Sequence, residues 1–204
     1  VISGFLITRQ LVEAQRLHGR VRLVEFWRRR ARRLLPALIL VVVATAVASR
    51  VWLAEWRSSG LRLDAWASLA YVANWRFIAN DESYFASGIG PSPLRHMWSL
   101  AIEEQFYLLW PLLLLGVVGV VGRATRRRSA GRPKPSTDRV VGSFALAVAV
   151  ASAAWMALAS VRADDLSRIY YGTDTRLFAL AIGGWAGARW GTSSPTDGTT
   201  SVRN

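Results

Sequence analysis

The chain has 204 residues, of which 52% are hydrophobic and ten are Trp, and its formal net charge is +13. The apolar residues lie in long blocks separated by arginine-rich blocks, a pattern typical of a membrane protein rather than a soluble domain. A basic excess of this size points to nucleic acid or an anionic membrane surface as the partner. The apolar blocks favour membrane lipid over nucleic acid. The absence of cysteine excludes a disulfide framework and any thiolate nucleophile or metal site.

The first predicted element is the end of a spanning helix over residues 1–11. The chain opens inside the apolar run Val1–Thr8, with no signal-peptide charge before it. We therefore expect the chain to be a piece of a longer protein whose first helix, or more, precedes Val1. Residues 12–33 are expected to form a polar, basic loop. That segment contains eight arginines, namely Arg16, Arg20, Arg22, Arg28, Arg29, Arg30, Arg32 and Arg33.

The second predicted element is a strong membrane span over residues 34–53. It supplies about twenty mostly apolar positions, enough to cross a hydrocarbon core ~30 Å thick. Pro36 is placed in the first turn of this helix, where its missing N–H does no harm. Residues 54–94 are mixed in character, with an amphipathic piece over 66–78 and a turn-rich piece over 87–93.

A long helix is predicted next, over residues 95–121, ending in a Leu/Val/Gly run. Pro111 is expected to kink it, since proline removes one hydrogen bond of a helix interior. Residues 122–139 form a second basic loop, with one acid, Asp138, among seven basic residues. The apolar, Ala/Val-rich segment 140–161 is a further predicted span.

The last part of the chain is predicted to hold a short polar turn over 162–173 and a weaker span over 174–190. Glycines in this span allow close contact between helices. The Ser/Thr/Gly-rich tail, residues 191–204, is expected to be disordered. The expected fold class is therefore all-α, a polytopic transmembrane helix bundle with about five spans. Residues 1–190 are assigned to one membrane domain.

The distribution of arginine predicts the topology of these spans. Cytoplasmic loops of membrane proteins are enriched in Lys and Arg, so both basic loops are placed on the cytoplasmic side. The two strong spans, 34–53 and 97–121, bring the chain out and back, and residues 54–94 then lie outside or dip in as a re-entrant segment. His96 and Glu103 fall near the non-cytoplasmic end of their helix.

Ionisable groups at membrane depth usually mark a functional site, and the segment His96–Tyr107 carries several. His96 and Glu103 are seven residues apart, so they share a face of a helix, and Ser99 can meet Glu103 four residues on. An imidazole beside a carboxylate suits general base chemistry on a hydroxyl that attacks an acyl carbonyl. The alternative is that His96 caps the helix while Glu103 pairs with an arginine elsewhere.

Two other residues of this segment have structural interpretations. Ser99 lacks the G-x-S-x-G elbow of a nucleophilic serine, so a hydrogen bond along the helix face is preferred for its hydroxyl. Trp98 is interpreted as a packing or interfacial aromatic rather than part of a binding box.

The arginine run Arg28–Arg33 directly precedes a membrane span. One interpretation is anchoring on anionic headgroups. The other is a site for the phosphates of a cytoplasmic donor such as a coenzyme A thioester, because guanidinium groups match phosphate oxygens well. In that case Arg30 and Arg33, three residues apart, jointly face one phosphate group, next to Arg29.

The segment Tyr170–Arg176 is a polar turn that opens the last span. Thr173 or Asp174 suits a helix N-cap. Arg176 enters an apolar helix and needs a partner, for which Asp174 and Glu103 are the candidates. The alternative is a local Asp174–Arg176 pair without chemistry.

Four blocks of the sequence together resemble the acyltransferase 3 family of integral membrane O-acyltransferases. The arginine block contains the R-x-x-R element at Arg30 and Arg33. The blocks follow in family order and reach to about residue 190: Val1–Thr8, Phe26–Pro36, Ser92–Tyr107 and Tyr170–Arg176.

This resemblance implies a multi-pass enzyme of the cell membrane that moves an acyl group, often acetyl, from a cytoplasmic donor such as acyl-CoA to a hydroxyl of an extracytoplasmic glycan or lipid-linked sugar. It implies no bound cofactor, orienting roles for Glu103 and His96, donor handling by Arg29, Arg30 and Arg33, and a catalytic histidine on a helix before Val1. The chain alone is then expected to be inactive.

Two rival functions use the same features. A transporter or flippase for lipid-linked sugars would use the buried charges as a substrate path, although no inverted repeat is visible in the sequence. A membrane scaffold with arginines for orientation only would leave the polar residues at 96–105 unexplained.

Overall fold

The computed structural model describes residues 1–19, 21–52, 55–84, 92–128, 135–162 and 166–190. These residues form helices joined by short turns, and within them no strand occurs. The helices are α1 (Ile2–His18), α2 (Leu23–Trp52), α3 (Glu55–Leu69), α4 (Ala73–Ala79), α5 (Met97–Arg128), α6 (Thr137–Arg162), α7 (Ser167–Tyr171) and α8 (Thr173–Trp190).

Three of these helices are long and apolar enough to cross a membrane: α2 over Leu23–Val51, α5 over Met97–Thr125, and α6 over its whole length. The all-α, multi-pass membrane fold predicted from the sequence is confirmed. Helices α1 and α8, which the sequence also counted as spans, have 17 and 18 residues and are not among the three. They pack directly against each other.

Glycines bring the backbones of α1 and α8 into direct contact. A Cβ atom at Gly183 would collide with the carbonyl oxygen of Val1, and one at Gly4 would collide with that of Leu180. A Cβ at Gly187 would likewise meet the carbonyl of Phe5. Val1 contacts Gly183 and Phe5 contacts Gly187, so residue numbers increase in the same direction along both helices. Helices α1 and α8 are therefore parallel. Close approach of this kind requires residues without a side chain.

Helix α6 packs antiparallel on α8. Gly142 near the start of α6 lies against Ala188 near the end of α8, whereas Ser152 further along α6 donates a hydrogen bond to the Asp174 carbonyl at the start of α8. Gly142, Ala145 and Ala149 are buried on the α6 face. Small residues therefore allow all three helices to approach closely.

Four helices, α1, α5, α6 and α8, bring arginines to one end of the bundle. The last turn of α1 reaches the first turn of α6 through an ion pair between Arg16 and Asp138. The end of α5 lines a common cavity with the start of α6. We call this the basic end; its arginines include Arg16, Arg123, Arg127, Arg139 and Arg189.

Helix α2 runs antiparallel to α5. Val21, just before α2, lines a cavity with Leu114 and Val118 of α5, and the indole of Trp27 donates to the Tyr107 carbonyl at 3.2 Å. These contacts make α2 and α5 antiparallel, an arrangement that the two-crossing topology requires; the side of the membrane on which each end lies stays a prediction.

The predicted polar loop over 12–33 is wrong, because most of that segment is helical. Helix α1 continues to His18 and α2 begins at Leu23, so the arginine run occupies the first turns of α2. Arginine is a good helix former, and a charged run does not end a helix. For the same reason Pro36 lies inside α2 rather than in its first turn.

The described residues of segment 54–94 include two helices, α3 and α4, separated by a turn at residues 70–72. This turn interrupts the amphipathic piece predicted over 66–78. Tyr71 within it has a φ of 55°, a left-handed conformation that stops the helix. Most of the turn-rich piece 87–93 lies outside the described residues.

Other boundaries differ by a few residues. Helix α5 continues past the predicted end at 121 to Arg128, and Pro111 is buried inside it. The predicted polar turn over 162–173 contains the five-residue helix α7. The tail 191–204, which was predicted to be disordered, lies outside the described residues.

Candidate functional site

The central feature of the site is an ion pair between Arg30 of α2 and Glu104 of α5. The Arg30 Nη2 atom donates to Glu104 Oε1 at 2.6 Å, and Nε lies 3.1 and 3.0 Å from the two carboxylate oxygens. The side chains are 26% and 10% exposed, respectively. This two-nitrogen geometry fixes orientation as well as charge.

Tyr107, one turn after Glu104, holds the same guanidinium from its other side. The Arg30 guanidinium carbon lies 3.0 Å from the centroid of the Tyr107 ring, so the cation rests on an aromatic face. The backbone of Tyr107 accepts the hydrogen bond from Trp27. Together these contacts fasten the first turns of α2 to α5.

A cavity of about 330 Å³ opens beside the pair, between α2, α5 and the turn after α3. Its wall is mostly apolar, and its polar groups come from Arg30, Tyr71, Glu104 and Gln105. A mainly apolar cleft with a few convergent polar groups is the usual form of a small-molecule site. The remaining lining residues are Trp27, Ala31, Leu34, Leu35, Ala70, Val72, Tyr107 and Leu108.

Gln105, next to Glu104, organises the inner wall of this cavity. Its Nε2 donates to the Tyr71 carbonyl at 2.8 Å and to Asn74 Oδ1 at 3.0 Å, while its Oε1 accepts from the Thr173 hydroxyl at 2.6 Å. Asn74, fully buried, donates in turn to Thr173 Oγ1 and to the Tyr171 carbonyl. The network joins α4, α5 and α8 behind the cavity.

Tyr71 is held in an unfavourable conformation at the cavity wall. A positive φ is rare for an aromatic residue and is retained only where the surroundings impose it. Here the carbonyl of Tyr71 is anchored by Gln105. Burial, and then the negative charge of Glu104, raise the pKa of the phenol, with Arg30 acting in the opposite direction. Its hydroxyl therefore remains a hydrogen-bond donor beside the ion pair.

The structure does not join His96 to Glu103. His96 lies exposed in the turn before α5, which begins at Met97, so the seven-residue spacing does not place it on the helix face of Glu103. Ser99 donates to the His96 carbonyl at 3.3 Å instead of meeting Glu103. Glu103 faces α1, where the Ser3 hydroxyl donates to its carboxylate at 3.3 Å.

The predicted donor arginines separate into two groups. Arg30 is engaged by Glu104, so it does not face a shared phosphate with Arg33 in this arrangement. Arg33 is exposed on α2. Arg29 is also exposed and pairs with Glu25 one turn earlier, at 2.9 Å.

Arg176 has neither of the partners predicted for it. Its Nε donates to the Tyr170 carbonyl at 3.2 Å, and its guanidinium lies 4.2 Å from the Tyr170 ring centroid and 5.9 Å from that of Trp98. Asp174 instead accepts hydrogen bonds from Arg168 and from the Trp155 indole. The Arg176 cation is therefore held by aromatic rings and a backbone carbonyl, whereas the sequence predicted a carboxylate partner.

Trp98 packs as an aromatic residue, one of the two roles proposed for it. Its ring lies 4.7 Å from Tyr170, 5.8 Å from Tyr171 and 6.2 Å from Tyr84, measured between centroids. This aromatic cluster closes the bundle at the end opposite the basic end.

Sequence reasoning missed four residues of the site: Tyr71, Asn74, Glu104 and Gln105. Glu104 was passed over because its neighbour Glu103 has the helical spacing from His96. A second carboxylate beside the first was the available signal. Within the described residues, no group of three or more His, Cys, Asp or Glu side chains is placed to hold a metal.

Comparison with known protein families gives a match over almost the whole chain. An acyltransferase domain family matches residues 1–199. No solved structure matches the chain.

Several curated proteins are similar to the chain. The peptidoglycan O-acetyltransferase OatA of Listeria monocytogenes is 43% identical over 183 residues, which is 90% of this chain and 27% of that protein. The putative peptidoglycan O-acetyltransferase YrhL of Bacillus subtilis is 43% identical over 186 residues, 90% and 26% of the two chains. The O-acetyltransferase OatA of Staphylococcus aureus is 36% identical over 183 residues, 90% and 28%. The chain thus spans about a quarter of the length of the relatives it matches.

Proposed function

This chain belongs to the acyltransferase domain family, and from that membership we propose that the whole protein is an O-acyltransferase of the cell membrane. It moves an acyl group, acetyl in the simplest case, from a cytoplasmic acyl donor to a hydroxyl of a cell-surface glycan. The acceptor we propose is peptidoglycan, because two of the relatives are named for that substrate.

The observation that carries this proposal is the Arg30–Glu104 pair at the wall of the α2–α5 cavity. A largely buried charge pair in an apolar helix bundle is costly to maintain. Nevertheless α2 and α5, which are distant in the sequence, bring Arg30 and Glu104 together. The cavity of about 330 Å³ beside it leaves room for a reacting group.

In the proposed reaction, the acceptor hydroxyl attacks the carbonyl carbon of a thioester donor. A carbon–oxygen ester bond forms and the carbon–sulfur bond breaks, while the proton of the hydroxyl ends on the thiol that leaves. Negative charge develops on the carbonyl oxygen as the bond forms. The Tyr71 hydroxyl and the fixed Arg30 cation provide a donor and a positive charge at the cavity for that oxygen, which is the usual electrostatic contribution to acyl transfer.

Acyl-CoA is the donor we propose. Arg29 and Arg33 are exposed on α2 on either side of Arg30, where their guanidinium groups can hold the donor phosphates while Arg30 stays with Glu104. Arginine is well suited to this role because its fork matches phosphate oxygens.

The acceptor is proposed to enter from the end opposite the basic end. His96 is exposed there, and the aromatic ring of Trp98 lies close by. Glu103, fixed by Ser3, orients groups on the α1 side of α5. Ser99, Asp174 and Arg176 support the shape of this end through the contacts described above.

The test measures ester-linked acetate on peptidoglycan in a bacterium that lacks its own peptidoglycan O-acetyltransferase and expresses the full-length protein. Glu104→Gln should lower acetylation about a hundredfold, because Arg30, which the proposal places at the carbonyl oxygen, loses the carboxylate that fixes its orientation. Glu13→Gln, a change at an exposed acid on α1, is the control and should acetylate normally.

Membrane insertion of both variants is followed by protease protection of a C-terminal tag. Normal acetylation by an inserted Glu104→Gln protein would remove the pair from the mechanism. If peptidoglycan carries no added acetate in cells that contain the inserted wild-type protein, the proposal that peptidoglycan is the acceptor is wrong.

A further inference from the structure

A second cavity, unrelated to the Arg30–Glu104 pair, lies between α6 and α8 at the basic end. Its volume is about 470 Å³, within the ~300–1,000 Å³ range of ligand sites. Its polar wall is formed by Arg139 and Ser143 of α6 and by Arg189 of α8. The other lining residues are Ser136, Asp138, Gly142, Leu146, Trp185 and Ala188.

The charge of this cleft is positive. Arg139 and Arg189 are exposed, and neither has an ion-pair partner within the part of the chain that the structure describes. The one acid of the wall, Asp138, is paired with Arg16 through Oδ2, while its buried Oδ1 has no hydrogen-bond partner. The two guanidinium groups without ion-pair partners outnumber this acid, and with the hydroxyls of Ser136 and Ser143 they line a space that fits an anion.

The cleft continues into an apolar strip along α6. Arg139, Ser143, Leu146 and Val150 follow one another at intervals of four, three and four residues, so they occupy one face of the helix. Leu146 is 45% exposed and Val150 is 60% exposed. Both side chains are therefore exposed on a helix that is long and apolar enough to cross a membrane.

Trp185 lies beside Gly142 of α6, between Arg139 and Leu146 along the sequence of that helix. It lines the cleft and meets Trp190 edge-on, with ring centroids 5.3 Å apart. Tryptophan collects at the boundary between headgroups and hydrocarbon, where its ring can be buried and its N–H can remain wet.

From this arrangement we infer that the α6–α8 cleft is a binding site for an anionic phospholipid. The phosphate and headgroup lie between Arg139 and Arg189, with the two serine hydroxyls as further donors. The acyl chains lie along Leu146 and Val150. A soluble phosphate compound would match the arginines but not the apolar strip, and a neutral lipid would match the strip but not the arginines. Basic clefts between membrane helices at the positively charged side select such headgroups.

The test uses the full-length protein purified in detergent and native mass spectrometry of the lipids it retains. Phosphatidylglycerol and phosphatidylcholine with the same acyl chains are added separately. The wild-type protein should retain phosphatidylglycerol preferentially. Changing both cleft arginines to Gln (Arg139→Gln with Arg189→Gln) should weaken that retention about tenfold or more, since each cation near an anionic headgroup contributes several-fold.

A matched double variant keeps the test specific to the cleft. Arg123→Gln with Arg127→Gln removes two exposed cations at the same end, on α5 and outside the cleft, and should bind phosphatidylglycerol as the wild type does. Replacing both cleft arginines by Lys keeps the charge and should preserve the preference for phosphatidylglycerol, which separates loss of binding from loss of folding.

Three results would overturn the inference. If the cleft and control double variants lose phosphatidylglycerol equally, its retention depends on the general surface charge and not on the cleft. Equal retention of the two phospholipids would remove the requirement for an anion. Displacement of phosphatidylglycerol by an equal concentration of inorganic phosphate would show that the cleft takes a soluble phosphate rather than a lipid.

Discussion

Arg30 and Glu104 lie 74 residues apart in the chain and form a two-nitrogen ion pair across the α2–α5 interface. The sequence predicts the arginine run on the cytoplasmic side of the membrane, where the donor binds, and His96 and Glu103 near the opposite side, where the acceptor binds. The pair brings one residue of the arginine run and one of the His96–Tyr107 segment into a common wall. Under the proposed function, donor and acceptor therefore meet at this level of the bundle.

The first prediction separates the structural role of the pair from its chemical role. Glu104→Leu leaves the Arg30 cation without its partner and should lower the free energy of unfolding by about 3 kcal/mol, as expected for breaking a largely buried pair. The swap Arg30→Glu with Glu104→Arg restores opposite charges. It should recover most of the thermal stability but not the acyl transfer, because the cation then lies on α5.

Thermal unfolding of the full-length protein in detergent, followed by tryptophan fluorescence, measures the first effect. A swapped variant that melts no higher than the Leu variant would argue against a pairing contribution to stability.

The second prediction concerns the amide network behind the cavity. Gln105→Leu removes the hydrogen bonds to Tyr71, Asn74 and Thr173 and leaves the Tyr71 carbonyl and the Asn74 Oδ1 atom without this donor. This should cost about 2–3 kcal/mol. Gln10→Leu, at an exposed position of α1, serves as the control and should change the midpoint of denaturation little. Equal midpoints for the two variants would mean that the network contributes nothing measurable.

The third prediction concerns the contact between the backbones of α1 and α8. Gly183→Ala places a methyl group against the Val1 carbonyl, and relief requires the helices to separate, at a cost of about 1–3 kcal/mol or more. Gly116→Ala is the matched change in α5, where a Cβ meets no atom within 4 Å. It should be neutral or slightly stabilising, since alanine favours a helix. Melting temperatures of the two variants test this contrast, which fails if Gly116→Ala is the more damaging change.

The fourth prediction is a loss of stability in alkali. Burial, reinforced by the Glu82 carboxylate, raises the pKa of Tyr171 to about 12, against ~10 in an unfolded chain. Below pH ~10 the Tyr171 phenol is protonated in both the folded and the unfolded state, so its contribution to the free energy of unfolding is complete. Between pH ~10 and the pKa of the folded state, the unfolded state loses its proton first, and the free energy of unfolding therefore falls as the pH rises.

Tyrosinate absorbance recorded during an alkaline titration should show Tyr171 among the late-ionising residues, together with Tyr71. Tyr171→Phe keeps the ring contacts and should remove one late-ionising group. An unchanged late component in Tyr171→Phe would mean that Tyr171 does not ionise late.

Composition was enough to predict the long apolar helices, because a membrane imposes their length and character. The same information did not reveal the residue pairing. Glu103 was preferred over Glu104 through its spacing from His96, but α5 begins only at Met97 and leaves His96 in a turn. Which of two adjacent carboxylates faces Arg30 depends on the rotation of α5, and that rotation is set by packing against α1 and α2.

The network around Gln105 shows the same limit. Asn74 and Thr173 reach Gln105 only because α4 and α8 converge on α5, a tertiary relation that no local pattern encodes. Tyr71 was equally hidden: it takes the left-handed position at the end of α3, where its N–H and that of Val72 donate to the Ser68 and Ala67 carbonyls, and glycine is the residue that usually marks such a position in a sequence.

The parallel contact between α1 and α8 also has a meaning for biosynthesis. Gly4 meets its partner Leu180 only after the intervening residues have left the ribosome, which takes roughly 10–35 s at the usual rate of translation. During that interval the small-residue face of α1 is in the membrane without its partner. A chaperone or insertase that shields this face, or a pause in translation that lengthens the wait, would change the yield of folded protein without altering a single contact of the finished bundle.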